Sequence, residues 1–213
     1  MIRFYGYFRS SASWRCRIAF NLKRVDYEFV PVQLRANEQG GAAYLDVNPQ
    51  GLVPSLQVGD LVIAQSLAIM EWLDETFPEP PLLPADRDRR AEVRAFAQAI
   101  ACDIHPLQNL RVLRHLGDTY GADAAGLDAW CGRWLGAGLQ ACEEMARRND
   151  RGGAFLFGDA PTLADICLVP QLASADRFHV DTSRFARLLE VRAACEALPA
   201  FADAVPARQP DSA

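Results

Sequence analysis

The stretch FRSSASWRCRIAF, residues 8–20, decides the predicted fold of this chain. It follows a short run, residues 2–5, in which apolar side chains alternate as they do in a β-strand. From residue 11 to about residue 24, apolar residues recur at helical spacing, which predicts a helix. Ser10 therefore lies where a strand–loop–helix turn enters the helix, a position at which serine is favoured as an N-cap.

The start of this helix is suited to hold an anion. The first turn of a helix has N–H groups without intrahelical partners and carries a partial positive charge, so it stabilises a negative group placed there. The hydroxyl of Ser10 can donate one more hydrogen bond to that group. The anion need not belong to the protein, and the rest of the chain is consistent with a ligand's thiolate held at this point.

The first 80 residues alternate strand and helix. Residues 27–32 predict a second strand, parallel to the first because a helix lies between them. Two further apolar runs flank Gly59-Asp60, which predicts a tight hairpin. The next helix begins at Gln65-Ser66. The predicted order βαβαββα is thioredoxin-like, so the fold class is an α/β N-terminal domain followed by an all-α C-terminal domain.

A proline-rich segment separates these two parts. Residues 81–87 predict a linker between an α/β domain of residues 1–80 and an all-helical domain of residues 88–213. The polar tail at residues 205–213 is expected to be loosely held.

Two local signals stand out in the helical part. Pro106 interrupts a helical pattern and is expected to kink or break that helix. Thr162 and Asp165 stand three residues apart before an apolar run, which predicts a capping box that stabilises the fold.

Composition excludes several classes of protein. The chain has 213 residues, of which 50% are hydrophobic, and a net charge of -5 without a basic patch, which argues against nucleic acid and anionic membranes as partners. The six cysteines form no C-x-x-C pair, which indicates reduced thiols rather than disulfides or a metal site. Without an apolar run long enough to span a membrane or a signal-peptide pattern, a cytoplasmic protein is expected.

The stretch SSASWRCRIAF resembles the SSCSWRxRIAL signature of zeta-class glutathione transferases, a group that includes maleylacetoacetate isomerase and maleylpyruvate isomerase. The resemblance implies that the thiolate is that of glutathione, as cofactor, and that the protein is a homodimer. Ala12 stands where the family usually carries cysteine, a departure that maleylpyruvate isomerase shares.

The resemblance also implies a set of glutathione-binding residues. Ser10 stabilises the thiolate, and a cis peptide bond before Pro54 leaves the backbone of Val53 free to pair with the cysteine of glutathione. Gln65 and Ser66 bind the γ-glutamyl carboxylate, although a plain N-cap serine is the alternative for Ser66. Three more residues are expected near glutathione, with Gln50 at the glycyl end and His105 and Asn109 helping to position it.

The acidic substrates of the family, maleylpyruvate and maleylacetoacetate, are dianions and need separated cationic anchors. Arginine is well suited as such an anchor because its planar guanidinium group binds a carboxylate in bidentate fashion. Arg9, which directly precedes Ser10, together with Arg111 and Arg177, is a candidate for this role. With Ala12 and the segment DIHPLQNLR, residues 103–111, the chain resembles maleylpyruvate isomerase more than maleylacetoacetate isomerase, while both substrates remain open.

The resulting hypothesis is glutathione-dependent cis–trans isomerisation of one of these substrates to its fumaryl isomer, in the catabolism of aromatic compounds, without a metal. Arg9 and Ser10 are the predicted catalytic residues. Two alternatives stay open: a general glutathione transferase that conjugates or dehalogenates small electrophiles, and a noncatalytic glutathione-binding protein. The first needs Ser10 but no set of arginines, and the second tolerates the loss of Ser10.

Overall fold

The computed structural model describes residues 1–150 and 152–212, so Arg151 and Ala213, which fall within the predicted helical domain, lie outside the described residues. The strands are β1 (Ile2–Gly6), β2 (Glu28–Pro31), β3 (Ser55–Val58) and β4 (Leu61–Ala64). The α-helices are α1 (Ser11–Lys23), α2 (Ala42–Leu45), α3 (Ser66–Thr76), α4 (Arg87–Gln98), α5 (Leu110–Tyr120), α6 (Ala124–Arg148), α7 (Leu163–Arg177), α8 (Ala186–Glu196) and α9 (Pro199–Ala202). These elements form two compact units, Met1–Leu82 with the described residues from Ala197 onward, and Leu83–Glu196.

The first unit is built on a mixed four-stranded sheet of order β2-β1-β3-β4. Strand β1 pairs in parallel with β2 and antiparallel with β3, and β3 forms a hairpin with β4. The hairpin turn contains Gly59 at φ +59°, a left-handed conformation that glycine adopts without a steric penalty. Together with helices α1 and α3, this sheet confirms the predicted thioredoxin-like order.

Helix α1 is held on the sheet by an aromatic cluster. The Phe4 side chain is fully buried, and its ring centroid lies 5.3 Å from that of Phe20 in an edge-to-face arrangement. The Tyr27 ring lies 4.3 Å from Phe20. This packing holds the C-terminal half of α1 on the sheet, and Ser10 lies at the opposite end of the helix, after β1.

The C-terminal segment packs on the first unit, which corrects two sequence predictions. The sequence predicts one helical domain over residues 88–213 with a loose tail, but the segment after Glu196 belongs with the sheet. Asn21 donates to the carbonyl of Ala200 at 2.9 Å, and Asp211 accepts a hydrogen bond from the amide of Phe8 at 2.9 Å. Because these bonds join residues far apart in sequence, tail composition alone could not indicate them.

The beginning of the predicted linker is anchored to the first unit as well. The buried ammonium of Lys23 donates to Asp74 at 2.6 Å and to the carbonyl of Pro80 at 2.6 Å, and the amide of Leu82 donates to Asp74 at 2.7 Å. The Glu79–Pro80 peptide bond is cis. The boundary between the two units follows Leu82, within the linker predicted at residues 81–87.

The second unit is helical, and Pro106 breaks its first long helix as predicted. Helix α4 passes into a π-helical segment, Ala99–Ile104, and then a 3-10 helix, His105–Gln108, before α5 begins. A Cβ atom on Gly138 of α6 would clash with the Ile104 side chain, so the glycine allows this segment to lie close to α6. None of the helices in the described residues is long and apolar enough to span a membrane.

Two buried carboxylates satisfy backbone amides in the second unit. The predicted capping box is confirmed at the start of α7, where Asp165 accepts from the amide and the hydroxyl of Thr162, both at 2.8 Å. Glu143 of α6 accepts from the amides of Arg187 and Leu188 in the first turn of α8, at 3.2 and 3.1 Å. Glu143 thus joins α6 to the start of α8, while Asp165 holds the start of α7.

Candidate active site

Ser10 is the N-cap residue of α1, as predicted. Its backbone is extended, with φ −69° and ψ 118°, and its hydroxyl oxygen accepts a hydrogen bond from the amide of Ser13 at 3.2 Å. That bond uses an acceptor lone pair and leaves the hydroxyl proton available to a ligand. The turn therefore offers one hydroxyl donor and the positive end of a helix at a half-buried point.

The loop that carries Arg9 and Ser10 is fixed from two sides. Arg17, buried in α1, donates from Nη2 to the carbonyl of Phe8 at 2.9 Å and from Nε to the carbonyl of Ala204 at 3.1 Å. Burial lowers the pKa of Arg17 to about 10, so the guanidinium stays protonated at neutral pH. The amide of Phe8 donates to Asp211. Sequence reasoning missed both supporting side chains, since nothing in their spacing links residue 211 to residue 8.

The peptide bond between Val53 and Pro54 is cis, which confirms the prediction. The pairing of β3 with β1 begins at Ser55, one residue further on. In the part of the chain that the structure describes, the N–H and C=O groups of Val53 make no backbone hydrogen bond. This backbone position is therefore open to an extended ligand that adds to the strand.

A buried tyrosine holds the loop before the cis proline. The hydroxyl of Tyr44 donates to the carbonyl of Leu52 at 2.7 Å and lies 2.9 Å from the hydroxyl of Ser55. The side-chain amide of Asn48 donates to the same carbonyl at 2.8 Å. Burial raises the pKa of Tyr44, which keeps the phenol protonated as the donor in this arrangement.

We expect Tyr44→Phe to lower the free energy of unfolding by about 1–2 kcal/mol, because it removes a buried hydrogen bond and leaves the Ser55 hydroxyl without this partner. The measurement is urea unfolding followed by circular dichroism. Tyr5→Phe is the matched control, since the Tyr5 hydroxyl bonds to Gln57 in a part-buried place, and a smaller loss is expected there. Equal stability of Tyr44→Phe and the unaltered protein would contradict the role given to Tyr44.

Gln50, Gln65 and Ser66 lie together in the structure. The side-chain amide of Gln65 donates to the side-chain oxygen of Gln50 at 3.0 Å, and Gln65 has a left-handed backbone with φ +76°. Ser66 is the first residue of α3, as predicted, but it is not the N-cap. Gln65 occupies the N-cap position without a capping side-chain bond, and the Ser66 hydroxyl contacts Arg15 instead.

The segment after Pro106 is not one continuous helix. The chain is extended at Asn109, with ψ 145°, so residues 105–108 and the helix that begins at Leu110 are separate elements. The side-chain oxygen of Asn109 caps α5 by accepting from the amide of Arg111 at 3.2 Å. Gln108 is buried, whereas His105 is half-buried at the start of the 3-10 helix. Hydrophobic periodicity could not distinguish these short helical forms.

The three candidate arginines are available to a ligand to different degrees. Within the described residues, the guanidinium groups of Arg9 and Arg111 form no ion pair, and Arg111 is exposed. Arg177, at the end of α7, lies over the ring of Phe178 with 5.0 Å between the guanidinium carbon and the ring centroid. Arg9 belongs to the first unit, and Arg111 and Arg177 belong to the second.

The cysteines of the protein are poor sources of a thiolate. Five of the six are buried, and burial raises the pKa of Cys131 to about 11 and that of Cys142 to about 12. Cys16, near Ser66, is fully buried in the core, which agrees with its predicted packing role. At the turn itself, Ala12 provides no thiol. A sulfur nucleophile at Ser10 therefore has to come from a ligand.

Comparison with known proteins adds independent information. Family models match the chain as a glutathione S-transferase N-terminal domain at residues 4–81 and a glutathione S-transferase C-terminal domain at residues 111–203. A maleylpyruvate isomerase of Ralstonia sp is 50% identical over 212 residues, which are 100% of each chain.

Two solved structures are similar over nearly the whole length. The holo structure of a bacterial zeta-class maleylpyruvate isomerase has a TM-score of 0.97 and 50% identity, covering 99% of this chain and 100% of that one. A maleylacetoacetate isomerase of Methylobacterium extorquens AM1, solved with malonate and glutathione, has a TM-score of 0.95 and 38% identity, covering 99% of each chain.

Proposed function

The chain belongs to the zeta class of the glutathione transferase family, and on that premise we propose that it is a glutathione-dependent cis–trans isomerase of maleylpyruvate or maleylacetoacetate. The observation that carries the proposal is Ser10, placed as the N-cap of α1 with its hydroxyl proton free for a ligand. The full-length similarity to a maleylpyruvate isomerase supports the reaction and favours maleylpyruvate as the better substrate.

The residues of the first unit fit glutathione. The open backbone of Val53 suits the cysteine residue of the tripeptide, and the start of α3 at Ser66 suits its γ-glutamyl carboxylate. Gln65 would bind beside Ser66, and Gln50, bonded to Gln65, would face the glycyl end. His105 and the amide nitrogen of Asn109 would help to position it, because the amide oxygen of Asn109 is engaged in capping α5.

When bound, glutathione supplies a thiolate that adds reversibly to the conjugated double bond of the substrate, which permits rotation about that bond. The protein's own residues contribute to this reaction by electrostatic stabilisation. Ser10 donates a hydrogen bond to the sulfur and, with the positive end of α1, lowers the pKa of the thiol. Arg9, Arg111 and Arg177 would bind the two carboxylates and stabilise negative charge that develops on the substrate.

The Arg111→Ala variant distinguishes the proposed isomerase from a general glutathione transferase. We expect Arg111→Ala to lower kcat/KM for maleylpyruvate by about 10- to 100-fold, since it removes a charged hydrogen-bond donor to a carboxylate. Conjugation of glutathione to an uncharged electrophile should change little. The measurement is the steady-state rate with each substrate at saturating glutathione.

Arg114→Ala is the matched control, because Arg114 is another exposed arginine of α5 and has no proposed role at the site. It should retain nearly full activity with maleylpyruvate. If Arg111→Ala had the activity of the unaltered protein, or if both variants lost activity equally, Arg111 would not be an anchor for the substrate.

Homodimerisation is also proposed, because the family resemblance implies it and because strand β4 exposes apolar side chains at the edge of the sheet. Leu61 and Val62 lie on the edge strand β4 and are 49% and 38% exposed. A second copy that covers this edge would remove them from water. A mass in solution equal to the 23.5 kDa of one chain would contradict a dimer.

We place the protein in the cytoplasm, where its free cysteines would stay reduced.

A further inference from the structure

Arg15 differs from the other buried cations of α1. Its side chain is 1% exposed, and its Nη1 atom donates to the hydroxyl oxygen of Ser66 at 3.4 Å. Among the described residues, its Nε and Nη2 atoms have no hydrogen-bond partner. By contrast, Arg17 donates to three backbone carbonyls, and Lys23 pairs with Asp74.

A buried guanidinium without a counter-charge is costly. A charge transferred out of water is stabilised only when an opposite charge and well-placed hydrogen bonds replace its hydration. Within the described residues, no carboxylate forms an ion pair with Arg15. Since the described residues do not provide the missing anion, a ligand is a natural source of one.

The N-terminus of helix α3 adds to the positive electrostatic potential around Arg15. Ser66, which is 6% exposed, is the first residue of α3, a helix of 11 residues. The N-cap side chain of Gln65 makes no capping bond, and the first turn of α3 contains no acidic residue. The positive end of this helix and the guanidinium of Arg15 thus meet at the Ser66 hydroxyl, where neither the N-cap side chain nor an acidic residue in the first turn of α3 neutralises them.

We propose that Arg15 is the buried counter-charge of the γ-glutamyl carboxylate of glutathione, an inference that rests on the proposed function. It is a positioning residue, which acts through Ser66. By donating to the Ser66 oxygen, the guanidinium directs the hydroxyl proton away from itself and toward the carboxylate. Its full positive charge, in a site of low polarity, adds to the attraction from α3.

The test compares two ligands on the full-length protein by calorimetric titration. One is glutathione, and the other is 4-aminobutyryl-Cys-Gly, which lacks only the α-carboxylate of the γ-glutamyl residue. In Arg15→Met, we expect the preference for glutathione over this analogue to fall by about 10-fold, while affinity for the analogue changes little. An electrostatic role predicts this selective loss, whereas a merely structural role would weaken both ligands equally.

Lys23→Met is the matched control, since it also removes a buried cation from α1 but one that is fully partnered inside the protein. It should lower thermal stability and leave the ligand preference unchanged. Arg15→Lys retains the charge and is expected to keep the preference within about threefold of the unaltered protein. If Arg15→Met does not fold, Arg15→Lys still tests the inference, because loss of the preference for glutathione in that variant would contradict it.

An unchanged preference in Arg15→Met would overturn the inference, as would a preference lost in Arg15→Lys. In either case, glutathione binding by the unaltered protein would leave the proposed function standing. If the unaltered protein did not bind glutathione at all, the proposed function and the role of Arg15 would both be wrong.

Discussion

The Ser10→Ala variant is expected to turn over maleylpyruvate about 100- to 1,000-fold more slowly than the unaltered protein, because it loses a hydrogen bond to the charged sulfur. Ser10 is the N-cap of α1, so the substitution also removes a capping bond and should cost about 1 kcal/mol of stability. The direct measurement is the thiolate absorbance of bound glutathione as a function of pH. The pKa of the bound thiol should rise toward that of free glutathione.

Two further variants separate the chemistry of Ser10 from its structural role. Ser10→Thr retains both the hydroxyl and the capping oxygen, and it should keep most of the activity. Ser11→Ala removes the neighbouring hydroxyl from the first turn and should cost no more than a few-fold in rate. If Ser10→Ala matched the unaltered protein in rate and in thiol pKa, Ser10 would not be the donor to the sulfur.

The Asp165→Ala variant is expected to lose about 3–5 kcal/mol of stability, because a fully buried carboxylate holds two parts of the chain. One oxygen accepts from the amide of Leu156 at 2.9 Å, and the other accepts from the amide and hydroxyl of Thr162. Removing it leaves buried donors unsatisfied, at about 1–3 kcal/mol each. Thermal unfolding should show a melting temperature lower by about 6–20 °C for a chain of this size.

Asp123→Ala is the matched control for Asp165. Asp123 caps α6 by accepting from the amide of Gly126 at 2.8 Å, but it does so in an exposed place, where water can replace it. A loss of about 1 kcal/mol is expected. Equal losses in the two variants would show that burial of the Asp165 network adds nothing to the stability of α7.

Signals that are local in sequence correctly predicted the caps and turns of the fold, including the helix start at which the candidate site lies. The N-cap at Ser10, the hairpin at Gly59 and the capping box at Thr162 each depend on residues within a few positions of one another. The cis peptide bond at Pro54 was implied by the family resemblance and not by such a local rule. Physical rules for turns and caps act at this range, so a single sequence suffices.

Such rules could not predict contacts between residues that are far apart in sequence. Asp211 bonds to Phe8 across 203 positions, and Arg15 reaches Ser66 across 51 positions. A basic residue in a helix is usually exposed to solvent, so the sequence gives no sign that Arg15, Arg17 and Lys23 of α1 are buried. Only the fold reveals that all three are buried, and that Arg15 alone among them lacks partners for part of its guanidinium.

The most direct test of the central claim is the number of substrate molecules converted per molecule of glutathione. With glutathione at one-hundredth of the concentration of maleylpyruvate, the account predicts complete conversion to the fumaryl isomer and recovery of unmodified glutathione, with no enzymatic conversion when glutathione is left out. Conversion that stops after one equivalent, with glutathione consumed, would identify a conjugating transferase and contradict the account. Equal rates with and without glutathione would contradict it as well.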